Sequence, residues 1–195
     1  MVTVRQEAMA DAGVREALLD EAYGAARFAK ASQRLREGRL PADKLSLVAA
    51  DQGQLVGTVR LWQVSAGPAH AALLLGPLAV HPQYRNRGIG AALMRRAIAR
   101  ARLLGHRAIL LVGDAAYYGR FGFTAAQTGE LSMPGRFERD RLLALELQPA
   151  ALTGARGLIT ATGRSEPVAR SGRVGASDIL RRNDSVRRAR ARRAA

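Results

Sequence analysis

The apolar and polar positions of this chain fall into short, differently spaced runs. Residues 2–7 read as a brief strand. From Asp11 to about Tyr23, Val14, Ala17, Leu18 and Ala22 recur at helical spacing. A second helical stretch covers about Ala25 to Glu37 and ends at Gly38 and Pro41. Leu45 to Ala50 and Leu55 to Val64 read as strands. Asp51-Gln52-Gly53-Gln54 joins them as a turn with glycine where a positive φ is useful, so the pair is a predicted hairpin. After Gly67-Pro68, Ala71 to Val80 is apolar almost throughout, as in a central strand covered on both faces. Gly88 to Leu104 carries the strongest helical pattern. Ile89, Leu93, Ala97, Ala101 and Leu104 form its stripe, Arg95, Arg96, Arg100 and Arg102 lie largely off it, and Gly105 suits the C-cap. Ala108 to Val112 reads as a buried strand, and Asp114 is placed to cap a short helix reaching about Arg120. Phe123 to Thr128 and Arg141 to Leu147 read as two late strands, joined by a loop around Met133-Pro134-Gly135. The order β-α-α-β-β-β-α-β-α-β-β predicts an α/β fold with a mixed sheet.

Beyond about Thr162 the periodicity stops, and Gly, Ser, Arg and Ala dominate. The expected organisation is one domain over 1–163 and a basic, disordered tail over 164–195. Within the tail, Ser177 to Arg193 has the makings of a basic helix on a partner, although Ile179, Leu180 and Val186 give it a thin apolar face. The net charge of +15 divides between the two parts: ten arginines against three acidic residues give the tail +7, and the remaining 163 residues carry +8. The tail therefore supports a second reading, a nucleic-acid or ribosome-associated basic module. With no aromatic residue for stacking, its contacts are expected to be weak and nonspecific. The chain has no cysteine, which excludes disulfides, thiolate metal sites and cysteine nucleophiles. His70, His81 and His106 show no metal-ligand spacing, so no metal is expected. No apolar run suits a membrane span and the N-terminus has no signal-peptide pattern, so a cytoplasmic protein without membrane contact is the expectation.

The candidate chemistry lies where the central strand meets the long helix, over Leu78-Ala79-Val80-His81-Pro82-Gln83-Tyr84-Arg85-Asn86-Arg87-Gly88-Ile89-Gly90. Helix-start N–H groups lack intrahelical partners and carry the positive end of the helix dipole. Glycines let an anion approach them, and Arg85 and Arg87 add charge. A phosphate-bearing cofactor is implied. A P-loop would need Lys-Ser/Thr after Gly90, where Ala91-Ala92 stands, and a dinucleotide fingerprint would need a third glycine at Leu93.

What remains is Arg/Gln-x-x-Gly-x-Gly/Ala, present as Arg85-Asn86-Arg87-Gly88-Ile89-Gly90. It resembles the acetyl-CoA site of the GNAT superfamily of N-acetyltransferases. Tyr118-Gly119-Arg120-Phe121-Gly122-Phe123 adds that family's tyrosine four residues before a Gly-Phe pair, and Leu111-Val112-Gly113-Asp114-Ala115-Ala116-Tyr117-Tyr118 looks like a bacterial branch of predicted acetyltransferases. The resemblance covers about residues 1–150 and implies a mostly antiparallel central sheet flanked by helices. It implies direct transfer of an acetyl group from acetyl-CoA to a primary amine, on a small molecule or a protein. Leu78, Ala79 and Val80 would pair with the pantetheine arm, and a backbone N–H near them would stabilise the developing oxyanion. The N–H groups of Arg85, Asn86, Arg87, Gly88, Ile89, Gly90 and Ala91 would hold the pyrophosphate. Tyr118 would return a proton to the leaving thiolate, and Asp114 would orient the cofactor or cap its own helix. Leu73 to Val80 contains no carboxylate, so deprotonation of the amine through water is expected. Trp62, with Arg60 and Val64 on one strand face, lines the acceptor cleft or packs in the core. A catalytically silent CoA-binding protein is the third reading, and pairing of two copies through the late strands is a further expectation.

Overall fold

A thirteen-residue strand organises the computed structural model, which describes residues 1–167. This strand, β3 (Gln54–Ala66), pairs antiparallel with β2 (Ser46–Asp51) through its first half and with β4 (His70–Val80) along most of its length. The β2–β3 connection is the predicted two-residue turn. Gln52 and Gly53 both have positive φ (49° and 83°), which suits the right-handed twist of a hairpin. β1 (Val2–Gln6) adds antiparallel to β2. On the other side β5 (Ala108–Val112) runs parallel to β4, and β7 (Leu142–Glu146) runs antiparallel to β5. β8 (Gly157–Ala161) pairs with the far end of β3, and β6 (Leu131–Ser132) pairs with β8. The mixed, mostly antiparallel sheet expected from the sequence is present.

The sheet is covered on both faces. Leu61, Leu73, Leu75, Ile109, Leu111, Leu143 and Leu145 point to the side of α3 (Ile89–Leu103), where Ile89, Leu93, Met94, Ala97 and Ala101 meet them. Their strand neighbours Trp62, Val64, Leu74, Leu110, Leu142 and Ala144 point the other way, onto Leu131, Met133, Ala151, Leu152 and Ile159. That double burial is why β4 and β5 are continuous apolar runs in the sequence. α3 ends as its glycine predicted. Gly105 takes φ 78° and donates to the Arg102 carbonyl, while His106 donates to the Ala101 carbonyl, the paired bonds of a Schellman cap. Leu104, read as part of the stripe, is a partly exposed cap residue instead. No described helix is long and apolar enough to cross a membrane.

Three expectations are corrected. The helix α1 (Ala12–Tyr23) turns Arg15, Leu18, Leu19 and Ala22 inward and leaves Val14 exposed, so the inner face contains a charge that hid it from a hydrophobicity reading. The second helical stretch is broken: a 3-10 segment at Ala25–Ala29 stops at extended Lys30, and only α2 (Ala31–Arg34) is α-helical. Phe123–Thr128 is not a strand. Thr124 makes one bridge to Ala144, after which the chain turns because the Thr128 hydroxyl donates to the carbonyls of Ala125 and Leu142. The late strands are β6, β7 and β8. Arg164 and Glu166, at the start of the basic segment, bond to Leu40 and Gly38, and residues 168–195, including the basic-helix stretch, lie outside the described residues.

Arg15 is inward because Glu7 is there to meet it. The buried Glu7 carboxylate accepts from Arg60 Nε (2.8 Å) and Nη2 (2.5 Å) and from Arg15 Nη1, joining the end of β1, α1 and β3. Removing one partner of a buried ion pair leaves the other's charge desolvated and unmatched. Glu7→Ala is expected to lower the unfolding free energy by about 3 kcal/mol. Urea denaturation measures it, and a loss under about 1 kcal/mol would show that the network is effectively solvated.

Candidate functional site

The central opening of the molecule is made by a strand that leaves its neighbour early. β4 and β5 pair only at Leu73–Ile109 and Leu74–Leu110, yet β4 continues to Val80 and β5 to Val112. The β3–β4 register slips by one residue between the pairs Leu61–Leu75 and Val59–Leu78, so Gly76-Pro77 forms a bulge. Pro77 has no N–H to offer a neighbouring strand there. The parted strands enclose a cleft of about 210 Å³, walled by Leu75 to Leu78, Val112 and Tyr118 on the sheet side. The segment from Tyr23 to Arg36 forms its other wall. Two carbonyls of the bulged stretch are taken by side chains. Trp62 Nε1 donates to Gly76 O at 2.7 Å, and the Tyr23 hydroxyl donates to Leu78 O. Trp62 is therefore both buried and part of the cleft wall.

At the foot of the opening, Pro82–Tyr84 forms a 3-10 turn begun by His81, whose Nδ1 accepts from the Gln83 N–H at 3.3 Å. Asn86 and Gly88 follow in left-handed conformation, with φ 62° and 75°. The first backbone bond into α3 is from Ala92 N–H to Gly88 O. The Arg85 N–H, expected among the free donors, closes the 3-10 turn on the Pro82 carbonyl at 3.3 Å, whereas among the described residues no protein acceptor meets the N–H groups from Asn86 to Ala91. Arg85, Asn86, Arg87 and Gly88 are exposed, and the Arg87 guanidinium lies 4.9 Å over the Tyr84 ring. Ile89 sends its side chain into the core and so belongs to this set only through its backbone. Gly90 is half-buried, with the Tyr117 hydroxyl 2.8 Å from where a Cβ would stand. Leu78 and Val80 are half-buried along the parted edge, while Ala79 is buried against α1.

Asp114 caps α4 (Ala115–Tyr118), its Oδ1 accepting from the Ala116 N–H at 2.8 Å. The Tyr118 ring that follows lies edge-on to Tyr117 and Phe123 and directly over Gly113, where a Cβ would come within 2.2 Å of its Cε2. Its hydroxyl has no hydrogen-bond partner among the described residues, and the side chain lines the cleft. Burial, then the neighbouring Tyr23, Tyr117 and Asp114, raise its pKa above the ordinary 10 against a smaller opposing pull from Arg141, so at neutral pH it is a proton donor.

The cleft lining is cationic. Arg27, Lys30 and Arg36 of the opposite wall and Arg60 of β3 contribute to it, with Glu16 its one acidic residue. Burial acts to raise the Glu16 pKa, but hydrogen bonds and charge from Arg27 and Arg15 outweigh it and hold the carboxyl below its ordinary value. The fold brings the β4 edge and Tyr118 together in the cleft, while the loop from Arg85 to Ala91 is outside its lining and meets α4 through Gly90 and Tyr117. Tyr23, Lys30, Arg36 and Gly113 were not foreseen, and of these only Gly113, in the glycine step before the α4 cap, had a sequence signal to find.

A family model described as an acetyltransferase (GNAT) domain matches residues 42–125, from just before β2 to the turn after α4. The uncharacterized N-acetyltransferase YjhQ of Escherichia coli K12 is 32% identical over 143 residues, 68% of this chain and 78% of that protein. The uncharacterized N-acetyltransferase YhbS of the same strain is 31% identical over 158 residues, 80% of this chain and 93% of that protein. A crystal structure of Escherichia coli YhbS in complex with CoA superposes with a TM-score of 0.68, covering 82% of this chain and 89% of that one at 31% identity. A GNAT-family acetyltransferase from Brucella melitensis in complex with acetyl-CoA gives 0.58 at 26% identity, covering 85% of this chain and 94% of that one.

The close approach at Gly90 yields a paired test. Gly90→Ala is expected to lower the unfolding free energy by about 1–2 kcal/mol, because Tyr117 is held by Tyr118, Phe121 and the Arg120 guanidinium 4.0 Å over its ring. Adding Tyr117→Phe removes the oxygen in the way and recovers most of the loss. Simple additivity of the two changes in a double-mutant cycle would show that the rings shift freely.

Proposed function

This chain belongs to the GNAT family of N-acetyltransferases, and from that we propose that it moves the acetyl group of acetyl-CoA to a primary amine by direct attack. The carrying observation is a cleft with the Tyr118 phenol on its wall, a β4 edge that β5 abandons, and, where β4 ends, a loop of unclaimed N–H donors. These features fit the donor's parts. The N–H groups from Asn86 to Ala91 would receive the pyrophosphate, with the Arg85 and Arg87 side chains as counter-charge. The edge at Leu78, Ala79 and Val80 would pair with the pantetheine amides as a further strand, with Tyr23 releasing the Leu78 carbonyl to them. When bound, acetyl-CoA supplies an activated thioester carbon.

The neutral amine forms the new N–C bond and the C–S bond breaks. Tyr118 delivers its phenolic proton to the departing sulfur, for which a raised pKa is suitable because the group stays protonated until it is needed. Deprotonation of the incoming ammonium falls to water. Glu16, the acid in the cleft lining, is committed to Arg15 and Arg27 and is a weak base. Asp114 serves as the cap that sets α4, and through it the position of Tyr118.

Tyr118→Phe is expected to reduce kcat about a hundredfold while the acetyl-CoA dissociation constant, read by calorimetry, changes less than about threefold. Gly113→Ala, which drives a methyl group into the phenol's seat, should lower kcat in the same direction without removing the hydroxyl. An unaltered rate in Tyr118→Phe rejects the acid role, and binding without turnover on a broad amine panel would favour a silent CoA-binding protein.

The pH profile carries a separate expectation. An acid is lost as pH rises through its pKa, and that of Tyr118 is raised. With the acceptor gaining its neutral form, kcat/KM should climb from pH 6 and show no descending limb below about pH 9.5. A fall centred near pH 8, in protein whose circular dichroism is unchanged, would exclude Tyr118 as the acid.

A further inference from the structure

We propose that the acceptor amine carries an anionic group, a carboxylate or a phosphate, that is received by Arg36 inside the cleft. The inference rests on the acetyltransferase reading and adds a substrate class to it.

Arg36 is 9% exposed and lines the cleft just beyond α2. Its Nε donates to Ser32 O at 3.0 Å and its Nη2 to Ser32 Oγ at 2.9 Å. Those bonds use two of the five N–H groups of a guanidinium, and both acceptors are neutral. Among the described residues no carboxylate lies within salt-bridge distance of it. The other arginines of the cleft lining differ in that respect: Arg27 is paired with Glu16 and Asp20, and Arg60 with Glu7. Burial lowers the Arg36 pKa to about 10, so the group remains charged at neutral pH. A charged guanidinium removed from bulk water without a counter-ion is an expensive arrangement in a fold whose other buried arginine, Arg15, is paired twice. A ligand anion completes it.

The surroundings point the same way. Lys30, Ser32 and Val112 are shared with an adjoining hollow of about 240 Å³, whose remaining wall contains Arg136, Arg141 and Glu138. Glu138 is already paired with Arg141 at 3.6 Å. The two hollows together present an excess of positive charge, which concentrates anions in a concave, partly desolvated space. None of the loop residues Arg85 to Ala91, where the donor's pyrophosphate belongs, lines either hollow. The size of the cleft suits a small amine.

The test uses full-length protein and matched amines: an amino acid against its carboxamide, and O-phosphoethanolamine against ethanolamine. Titration calorimetry is run on the free and the CoA-loaded protein, and acetyl transfer is followed with each amine. The anionic member of at least one pair is expected to bind ten times or more tightly than its neutral counterpart, and the pair that does so separates carboxylate from phosphate. Arg36→Gln should reduce that preference about tenfold to a hundredfold, and Arg36→Lys should retain part of it. Comparing the preference between proteins cancels the intrinsic basicity of each amine.

Equal binding of charged and neutral members by the wild-type protein overturns the proposal, and that measurement needs no variant to fold. So does a preference that survives in Arg36→Gln while acetyl-CoA affinity is unchanged. Absence of acetyl-CoA binding and of transfer to every amine would instead defeat the acetyltransferase reading, with anion binding to the free protein still reporting on Arg36.

Discussion

A β-strand in the middle of a sheet normally satisfies both of its hydrogen-bonding edges, and β4 does so only as far as Leu74. Beyond that point it remains paired with β3 but stands apart from β5, with buried residues still alternating across the sheet around it. Unclaimed backbone groups inside a protein cost about 1–3 kcal/mol each. Here two of the carbonyls are met by side chains from different directions, Trp62 on Gly76 and Tyr23 on Leu78. The opening is thus maintained by the Gly76-Pro77 bulge and by two aromatic side chains that hold its carbonyls. The cleft wall, the position of α1 and the approach to the glycine loop all follow from that departure.

The opposite side of the groove depends on shape more than on hydrogen bonds. Tyr117 and Tyr118 each rest over a glycine, Gly90 and Gly113 respectively. The two rings brace each other at 82° with 4.9 Å between centroids, and Phe121 and Phe123 close the set. A loop from one end of α3 and a phenol from α4 are therefore brought into register by absent Cβ atoms. The four-residue helix that carries the tyrosines has little stability of its own, so its Asp114 cap and this aromatic packing fix the geometry.

The strand, loop and helix proposed for the donor were legible in the sequence because they are local. β4, the loop and α3 are consecutive, and their glycines and apolar spacing are visible in one window. Tyr118 was reachable because it sits four residues from Gly122-Phe123. The cleft lining was not, since Tyr23, Lys30, Arg36, Arg60 and Trp62 come from separated elements with no common spacing. The face of α1 was misread for a physical reason: Arg15 occupies a core position only because Glu7, eight residues earlier, is buried beside it. β6 has only two residues and β8 buries only Ile159 while Leu158 is exposed, so neither gives a strand pattern, whereas Phe123–Thr128 had the right composition but folds back through the Thr128 hydroxyl.

The cationic lining has a further chemical meaning. A site that brings an acyl thioester against amines endangers any amine in its own lining. A guanidinium at neutral pH stays charged and is a poor nucleophile, so Arg36 can receive an anion without being consumed. The chain has just two lysines, and one of them, Lys30, lines the cleft. Burial, then Arg36 and Arg141, lower its pKa and enlarge its neutral fraction. If acetyl transfer runs in this cleft, Lys30 is the one side-chain amine in its lining that the reagent could reach.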